Sequence, residues 1–243
     1  MSKQIKVTIW NEFRHEKGNP SIMELYPGGM HATIKRALEA KDSSLIVRLA
    51  ALDDPEQGLP DEVLNDTDVL LWWGHGYHEE VSDELVEKIK DRVFRHGMGF
   101  IPLHSSHMSK PFKAIVATNG ILSWGDNQQE VVWNVKPSHP IAAGIPEHFV
   151  LDEEEMYGEP FYIPEPDELV FMSWYKNGNV FRSGACFTRG LGRIFYFQPG
   201  HETCPSYNNP YVQQIIYNAV KWAAPTELGI PTPPECTYRT PVV

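Results

Sequence analysis

The sequence predicts an α/β fold built on a mainly parallel sheet with an antiparallel C-terminal extension. Short apolar runs alternate with amphipathic helical segments over the first half of the chain, which is typical of parallel strands joined by right-handed crossovers. Later apolar runs follow one another with glycine and asparagine turns between them, which indicates antiparallel pairing. The 243 residues suffice for one large core, and no linker or repeat is evident, so we expect one domain over residues 1–243.

The first half should supply four strands and the helices between them. Segments predicted as strands are 5–10, 45–49, 69–73 and 100–103. Segments predicted as helices are 30–40, 82–96 and 111–117, and 61–64 is predicted as a short helix or turn. The helix that starts near residue 82 has Ser82 as its N-cap and ends at Gly97. Residues 11–27 form a polar loop longer than most βα connections, and long loops at the carboxyl end of a sheet are often functional.

The second half is expected to be largely extended. The predicted strands are 169–174, 185–188 and 193–197, preceded by an extended segment at 124–137 and a turn at 139–146. The acidic run 152–155 is expected to be a solvated loop. A closing amphipathic helix is predicted at 211–222. The proline-rich tail from residue 225 is predicted to be an irregular strap, across its own domain or a partner subunit in a homo-oligomer.

Six of the ten histidines directly follow four of the predicted strands. The carboxyl ends of parallel strands meet at one edge of a sheet, where open α/β folds bind ligands. We therefore expect His75, His104 and His201 to meet in one solvent-accessible crevice. A histidine in a strand-end loop contributes little to a core, so removing His104 should leave stability nearly unchanged.

Two kinds of chemistry fit such a cluster, and the sequence leaves both open. Three neutral imidazoles with an open position suit a divalent metal such as zinc, with His75, His104 and His201 as the ligands. Without a metal, the same histidines provide acid and base groups for a hydroxyl-bearing substrate. Substrate contacts are assigned to residues at the same strand ends, namely Glu12, His15, Trp73 and Ser105.

Composition narrows the partner to a small molecule. The formal charge of −11, without clustered lysine and arginine, argues against nucleic acid. No apolar run approaches the roughly 20 residues that span a bilayer, and the N-terminus lacks a signal-peptide pattern, so we expect a cytoplasmic protein without membrane association. Neither a G-x-G-x-x-G motif nor a Walker-type lysine is present, so we expect no nucleotide cofactor. Cys186, Cys204 and Cys236 lack C-x-x-C spacing and suggest neither disulfides nor a thiolate zinc site.

Several short motifs, in this order and spacing, resemble the ThuA-like, trehalose-utilisation family over residues 5–224. They are Gly74-His75, His104-Ser105 after Gly99, His139-Pro140-Ile141, Glu154-Glu155-Met156-Tyr157 and Gly200-His201. The resemblance implies the class I glutamine amidotransferase-like fold, a flavodoxin-like doubly wound sheet. It also implies that His104 stands where an amidotransferase has its cysteine, so amidotransferase chemistry, which needs a thiolate beside a base, is not expected.

The resemblance further implies a carbohydrate-utilisation enzyme that acts on a disaccharide such as trehalose or its keto derivative. Isomerisation, elimination and hydrolysis all remain open, with His104, His201, Glu155 and Tyr157 as the catalytic residues. The alternative is a non-catalytic sugar-binding or regulatory protein on a degenerate amidotransferase-like fold. The distance between the histidine ring nitrogens distinguishes the two hypotheses. Nitrogens more than about 7 Å apart are too far from one another to share a metal with bonds near 2 Å, and such a spacing would favour the alternative.

Overall fold

The computed structural model of the protein describes residues 4–225, which form one nine-stranded sheet flanked by helices. The strands are β1 (Lys6–Asn11), β2 (Ile46–Ala51), β3 (Val69–Trp73), β4 (Gly99–Leu103), β5 (Ser123–Asn134), β6 (His148–Gly158), β7 (Glu168–Tyr175), β8 (Val180–Arg189) and β9 (Gly192–Phe197). The α-helices are α1 (His15–Gly18), α2 (Pro20–Leu25), α3 (Met30–Lys41), α4 (Asp61–Asn65), α5 (Asp83–His96), α6 (Lys110–Val116) and α7 (Pro210–Ala223). The proline-rich tail, with Cys236, lies outside the described residues.

Half of the sheet has the doubly wound arrangement. Its strand order is β2-β1-β3-β4-β9, and all neighbours in this half are parallel. Helices α3 and α7 contribute to the core on one face, while α5 and α6 contribute to the core on the other. Every residue of β3 and β4 is buried, because both faces are covered. The predicted flavodoxin-like α/β fold is confirmed, and its parallel strands make up this half of the sheet.

The other half is the predicted antiparallel extension, in the order β9-β8-β7-β5-β6. Strand β9 joins the halves, since it pairs parallel with β4 and antiparallel with β8. The acidic run 152–155 was expected to be a solvated loop, and this prediction is wrong. It lies inside β6, paired with β5, and buries Glu154 and Glu155.

Local signals in the sequence account for several element ends. The Ser82 hydroxyl accepts a hydrogen bond from the Leu85 backbone N–H at the start of α5, and Gly97 ends the helix with a φ of 72° that suits glycine. The 11–27 segment is not a plain loop, because it contains α1 and α2. In residues 4–225, no helix has both the length and the apolar character needed to cross a bilayer.

Candidate functional site

His104 occupies a strained backbone position at the end of β4. The strand stops at Leu103, and a 3₁₀ turn over His104–Met108 begins at once. His104 has a φ of 51°, which places its backbone in the left-handed region that residues other than glycine, asparagine or aspartate seldom adopt. Such strained backbone positions are often found at active sites. The Tyr196 hydroxyl donates a 3.0 Å hydrogen bond to the His104 carbonyl and helps to hold the turn.

The His104 ring lies between two hydrogen-bond acceptors. Its Nδ1 is 2.9 Å from the Gln198 carbonyl oxygen, and its Nε2 is 3.0 Å from Oε2 of Glu155. Only the doubly protonated ring can donate to both. Burial alone lowers the pKa of His104, but the hydrogen bond to Glu155 and the negative charges of Glu154 and Glu155 together outweigh burial, so the pKa is raised. Burial raises the pKa of Glu155, but the hydrogen bond and charge of His104, with His201 and His75, together outweigh burial, so the pKa is lowered and the pair is ionic.

Glu202 connects three further histidines at the same edge of the sheet. Its Oε2 lies 2.9 Å from Nδ1 of His75 and 3.4 Å from Nε2 of His201, and its Oε1 lies 3.5 Å from Nδ1 of His15. Burial raises the pKa of Glu202, but the interactions with His75 and His201 together outweigh burial and lower the pKa to about 2. Burial lowers the pKa of His201 to about 4, and the His104 charge adds to this effect, so His201 is neutral at pH 7.

The structure brings the three predicted histidines together. The ring centroids lie 5.9 Å apart for His75 and His104, 5.4 Å for His75 and His201, and 5.3 Å for His104 and His201. The side chains of His75 and His201 are 28% and 14% exposed, whereas that of His104 is 0% exposed. His104 is therefore the buried floor of this group of strand-end side chains, which we call the crevice. The expectation that it sits in an accessible loop is wrong, because its ring lies between the Gln198 carbonyl and the Glu155 carboxylate and stacks on Tyr157.

The donor atoms that approach one another closely differ from the predicted metal ligands. Those of His75, Glu155 and His201 all lie within 4.8 Å of one another, and the same holds for His15, His75 and Glu202. His104 is not in either set, and both of its ring nitrogens contact protein acceptors. Two imidazoles and one carboxylate are a donor set found in catalytic zinc sites, so these residues fit a divalent metal.

The predicted substrate-contact residues hold the crevice walls. Glu12 is buried, and its carboxylate accepts hydrogen bonds from the backbone N–H groups of Gly76 and Tyr77, each at 3.0 Å. The Ser105 hydroxyl donates to the Gly74 carbonyl at 2.9 Å. Both side chains therefore fix the loop that follows β3.

The aromatic residues assigned to the site are also buried. The indole N–H of Trp73 donates to the Gly200 carbonyl at 3.0 Å, and its ring packs under His15 and His75. The Tyr157 ring stacks on His104 at 5.2 Å, with its hydroxyl 3.4 Å from Nε2. Of the residues assigned to substrate contact, only His15, with a side chain 24% exposed, reaches the crevice opening.

Glu154 is a structural part of the site that the sequence did not single out. Its buried carboxylate accepts hydrogen bonds from the backbone N–H groups of Gly200 at 2.7 Å, His201 at 3.0 Å and Glu155 at 2.9 Å. The Ser206 hydroxyl donates to it as well. Glu154 therefore positions both His201 and Glu155. The available signal was its place beside Glu155, but its burial depends on contacts with residues 200–206, which are distant in sequence.

Neither described cysteine is placed to act as a nucleophile. Cys186 and Cys204 are both buried, and burial raises the pKa of each thiol. The Cys204 sulfur lies 3.3 Å from Nδ2 of Asn127. Both residues are therefore in the thiol form at neutral pH rather than the thiolate form that attacks an acyl group.

His107, beneath the crevice, should make the fold sensitive to acid. It is buried, and burial lowers its pKa to about 3, while its Nδ1 lies 2.6 Å from the Gly120 carbonyl. Because the folded protein binds this proton more weakly than the unfolded chain, stability should fall as pH drops below about 6.5. His107→Asn keeps an N–H donor near the Nδ1 position but cannot titrate.

The expected result is that the loss of unfolding free energy between pH 7 and pH 5 is up to about 2 kcal/mol smaller in His107→Asn than in wild type. Urea unfolding of both proteins at the two pH values measures it. An identical pH dependence in the two proteins would contradict the buried neutral state of His107.

Comparisons with known proteins give the family and the fold. The sequence profile of the ThuA family, described as trehalose utilisation, matches residues 6–223. A search of the curated proteins found no match. Among solved structures, a ThuA-like protein from Parabacteroides merdae superimposes with a TM-score of 0.67 at 15% identity, over 91% of this chain and 90% of that chain.

Two further solved structures share the fold of this chain. A cytoplasmic protein from Salmonella typhimurium superimposes with a TM-score of 0.62 at 15% identity, over 91% of this chain and 100% of that chain. A glutamine amidotransferase from Thermotoga maritima gives 0.54 at 9% identity, over 90% and 98%. At such identities the structures show the fold alone, which is the predicted class I glutamine amidotransferase-like fold. Since the family profile spans nearly all of the described chain, the protein belongs to the ThuA, or trehalose-utilisation, family.

Proposed function

We propose that the protein is a carbohydrate-utilisation enzyme acting on a disaccharide such as trehalose or its keto derivative. The observation that carries this proposal is that His75 and His201 converge on Glu155, whose carboxylate also forms the buried ion pair with His104. Convergent titratable groups in one crevice are the usual mark of an active site. Family membership supports the carbohydrate class of the substrate.

The exposed and buried members of the cluster have different tasks in this proposal. Glu155 and His201 reach the crevice, so they contact the substrate. His201 is neutral at pH 7 and accepts a proton from a sugar hydroxyl or from carbon next to a keto group. Glu155 stays ionised through His104 and holds hydroxyl groups. His104 and Tyr157, predicted to be catalytic themselves, lie beneath Glu155 and act by fixing its charge and position.

A divalent metal such as zinc would be held by His75, Glu155 and His201. When bound, such a metal polarises a carbonyl oxygen or lowers the pKa of a water molecule. With the metal held, these three side chains would serve as its ligands, in place of the base and hydroxyl-holding roles described for His201 and Glu155. Isomerisation, elimination and hydrolysis each fit both arrangements.

The geometry disfavours a non-catalytic sugar-binding protein. A degenerate site has no reason to keep its ring nitrogens close, and a spread beyond about 7 Å was expected for it. The donor atoms of His75, Glu155 and His201 instead lie within 4.8 Å of one another.

We further propose a cytoplasmic location, as described for the similar Salmonella protein.

Incubation of the purified protein with trehalose and its keto derivatives, followed by chromatography, tests the proposal. Reactions are run after metal removal and with added zinc, and elemental analysis gives the metal content. Product formation with at least one sugar is expected. An absence of turnover with every sugar, with and without metal, would overturn the enzyme proposal, and sugar binding by calorimetry without turnover would establish the alternative.

A further inference from the structure

An uncharged apolar face lies on the antiparallel extension, away from the histidine crevice. It consists of Val131, Trp133, Val150, Met172, Trp174 and Val180, and we call it the open face. Strand register aligns its residues across four strands, since Val131 pairs with both Val150 and Trp174, and Trp174 pairs with Val180. These side chains form one continuous row from β6 to β8.

The two faces of the extension differ sharply in burial. On the opposite face, Val132 and Phe171 are 0% exposed and belong to the core that contains residues of α7. On the open face, Trp133, Val150, Trp174 and Val180 remain 39–45% exposed. A groove of about 650 Å³ lies along the row. Within residues 4–225, the helices therefore leave this side of the extension uncovered.

We infer that the open face is the contact surface of a homodimer, in which two copies of this chain stack their extensions face to face. None of the six residues is charged, although the chain carries a formal charge of −11. The same groove is also lined by Val135, Ser173 and His148, and His148 is the one titratable residue in that lining, so a partner recognised by charged side chains finds little to pair with on this surface. A second copy presents the same uncharged row, and homodimer interfaces are richer in apolar and aromatic surface than other interfaces.

The exposed area of the open face determines how strongly two copies of the chain can associate. Two tryptophans at about two-fifths exposure contribute on the order of 200 Å². With the valines and Met172 the patch reaches a few hundred Å², the size at which an apolar patch marks an interaction site. Stacked sheets lie about 10 Å apart, close enough to bury both rows. Because stable interfaces bury about 1,200 Å² or more in total, a reversible dimer is expected.

Analytical ultracentrifugation of the full chain from about 1 to about 100 µM tests this inference in a range suited to micromolar affinity. The weight-average mass should rise from 27.7 kDa towards twice that value. Trp174→Glu places a charge at the centre of the row and should keep the protein monomeric throughout, and Val150→Lys at the row's end should do the same. Circular dichroism checks that each variant is folded.

The matched control is Trp124→Glu, because Trp124 is 71% exposed but lies outside the open face. It should dimerise like wild type. A wild-type mass of 27.7 kDa at every concentration would overturn the inference and point to the C-terminal tail or another protein as the occupant. Equal dimerisation of wild type and folded Trp174→Glu and Val150→Lys variants would overturn it as well.

Discussion

Replacing His104 with alanine should lower the free energy of unfolding by about 3 kcal/mol and abolish sugar turnover. The substitution removes a fully buried ring and leaves the Gln198 carbonyl and the Glu155 carboxylate without their donor. Alanine also tolerates the φ of 51° poorly. This replaces the expectation from the sequence that stability would be unchanged. Urea unfolding measures the loss of stability.

His104→Asn separates the structural from the functional contribution. Asparagine adopts left-handed backbone more readily than alanine, and its amide places a donor near the Gln198 carbonyl. About half of the lost stability should return, but turnover should not, because no group reaches Glu155 from the Nε2 position. If His104→Ala unfolded at the same urea concentration as wild type, the ring could not be the buried floor of the crevice.

Glu154→Gln should destabilise the fold by about 2–4 kcal/mol. The carboxylate accepts from three backbone N–H groups, whereas an amide offers one acceptor oxygen and turns an NH₂ group towards the remaining donors. The displaced loop would carry His201 away from Glu155, so turnover should fall more steeply than stability explains. Thermal melts and initial rates of the same preparation measure both effects.

Glu153→Gln is the control for this experiment. Glu153 precedes Glu154 on β6 but is exposed, so the same chemical change should alter stability by no more than about 0.5 kcal/mol. Equal effects of the two substitutions would show that Glu154 does not anchor the backbone at Gly200 and His201. A stable Glu154→Gln variant with full turnover would contradict the positioning role directly.

The sequence predicted the parallel half of the sheet well, because its signals are local. The strands predicted at 69–73 and 100–103 have the same or nearly the same bounds as β3 and β4 in the structure. The N-cap at Ser82 and the glycine at Gly97 fixed both ends of α5. The position of β9 between β4 and β8 rests on long-range pairing, which leaves no local pattern in a single sequence.

The candidate site, too, was predicted only in part from the sequence. Three histidines that follow apolar runs were predicted to meet, and their rings do lie within 6 Å of one another. Burial was not predictable, because it depends on elements distant in sequence. Glu154 is buried by contacts with residues 200–206, and Trp73 supports the Gly200 loop rather than reaching substrate.

The most direct test of the catalytic crevice is the rate of sugar conversion by His201→Gln. His201 is neutral and takes no part in the buried ion pair of His104 with Glu155, so stability should change by about 1 kcal/mol or less, while loss of the neutral base should lower the rate at least ~100-fold. His148→Gln, the same change at an exposed histidine of β6 outside the crevice, should convert sugar at the wild-type rate. A His201→Gln rate equal to that of wild type would contradict the proposed role of the crevice.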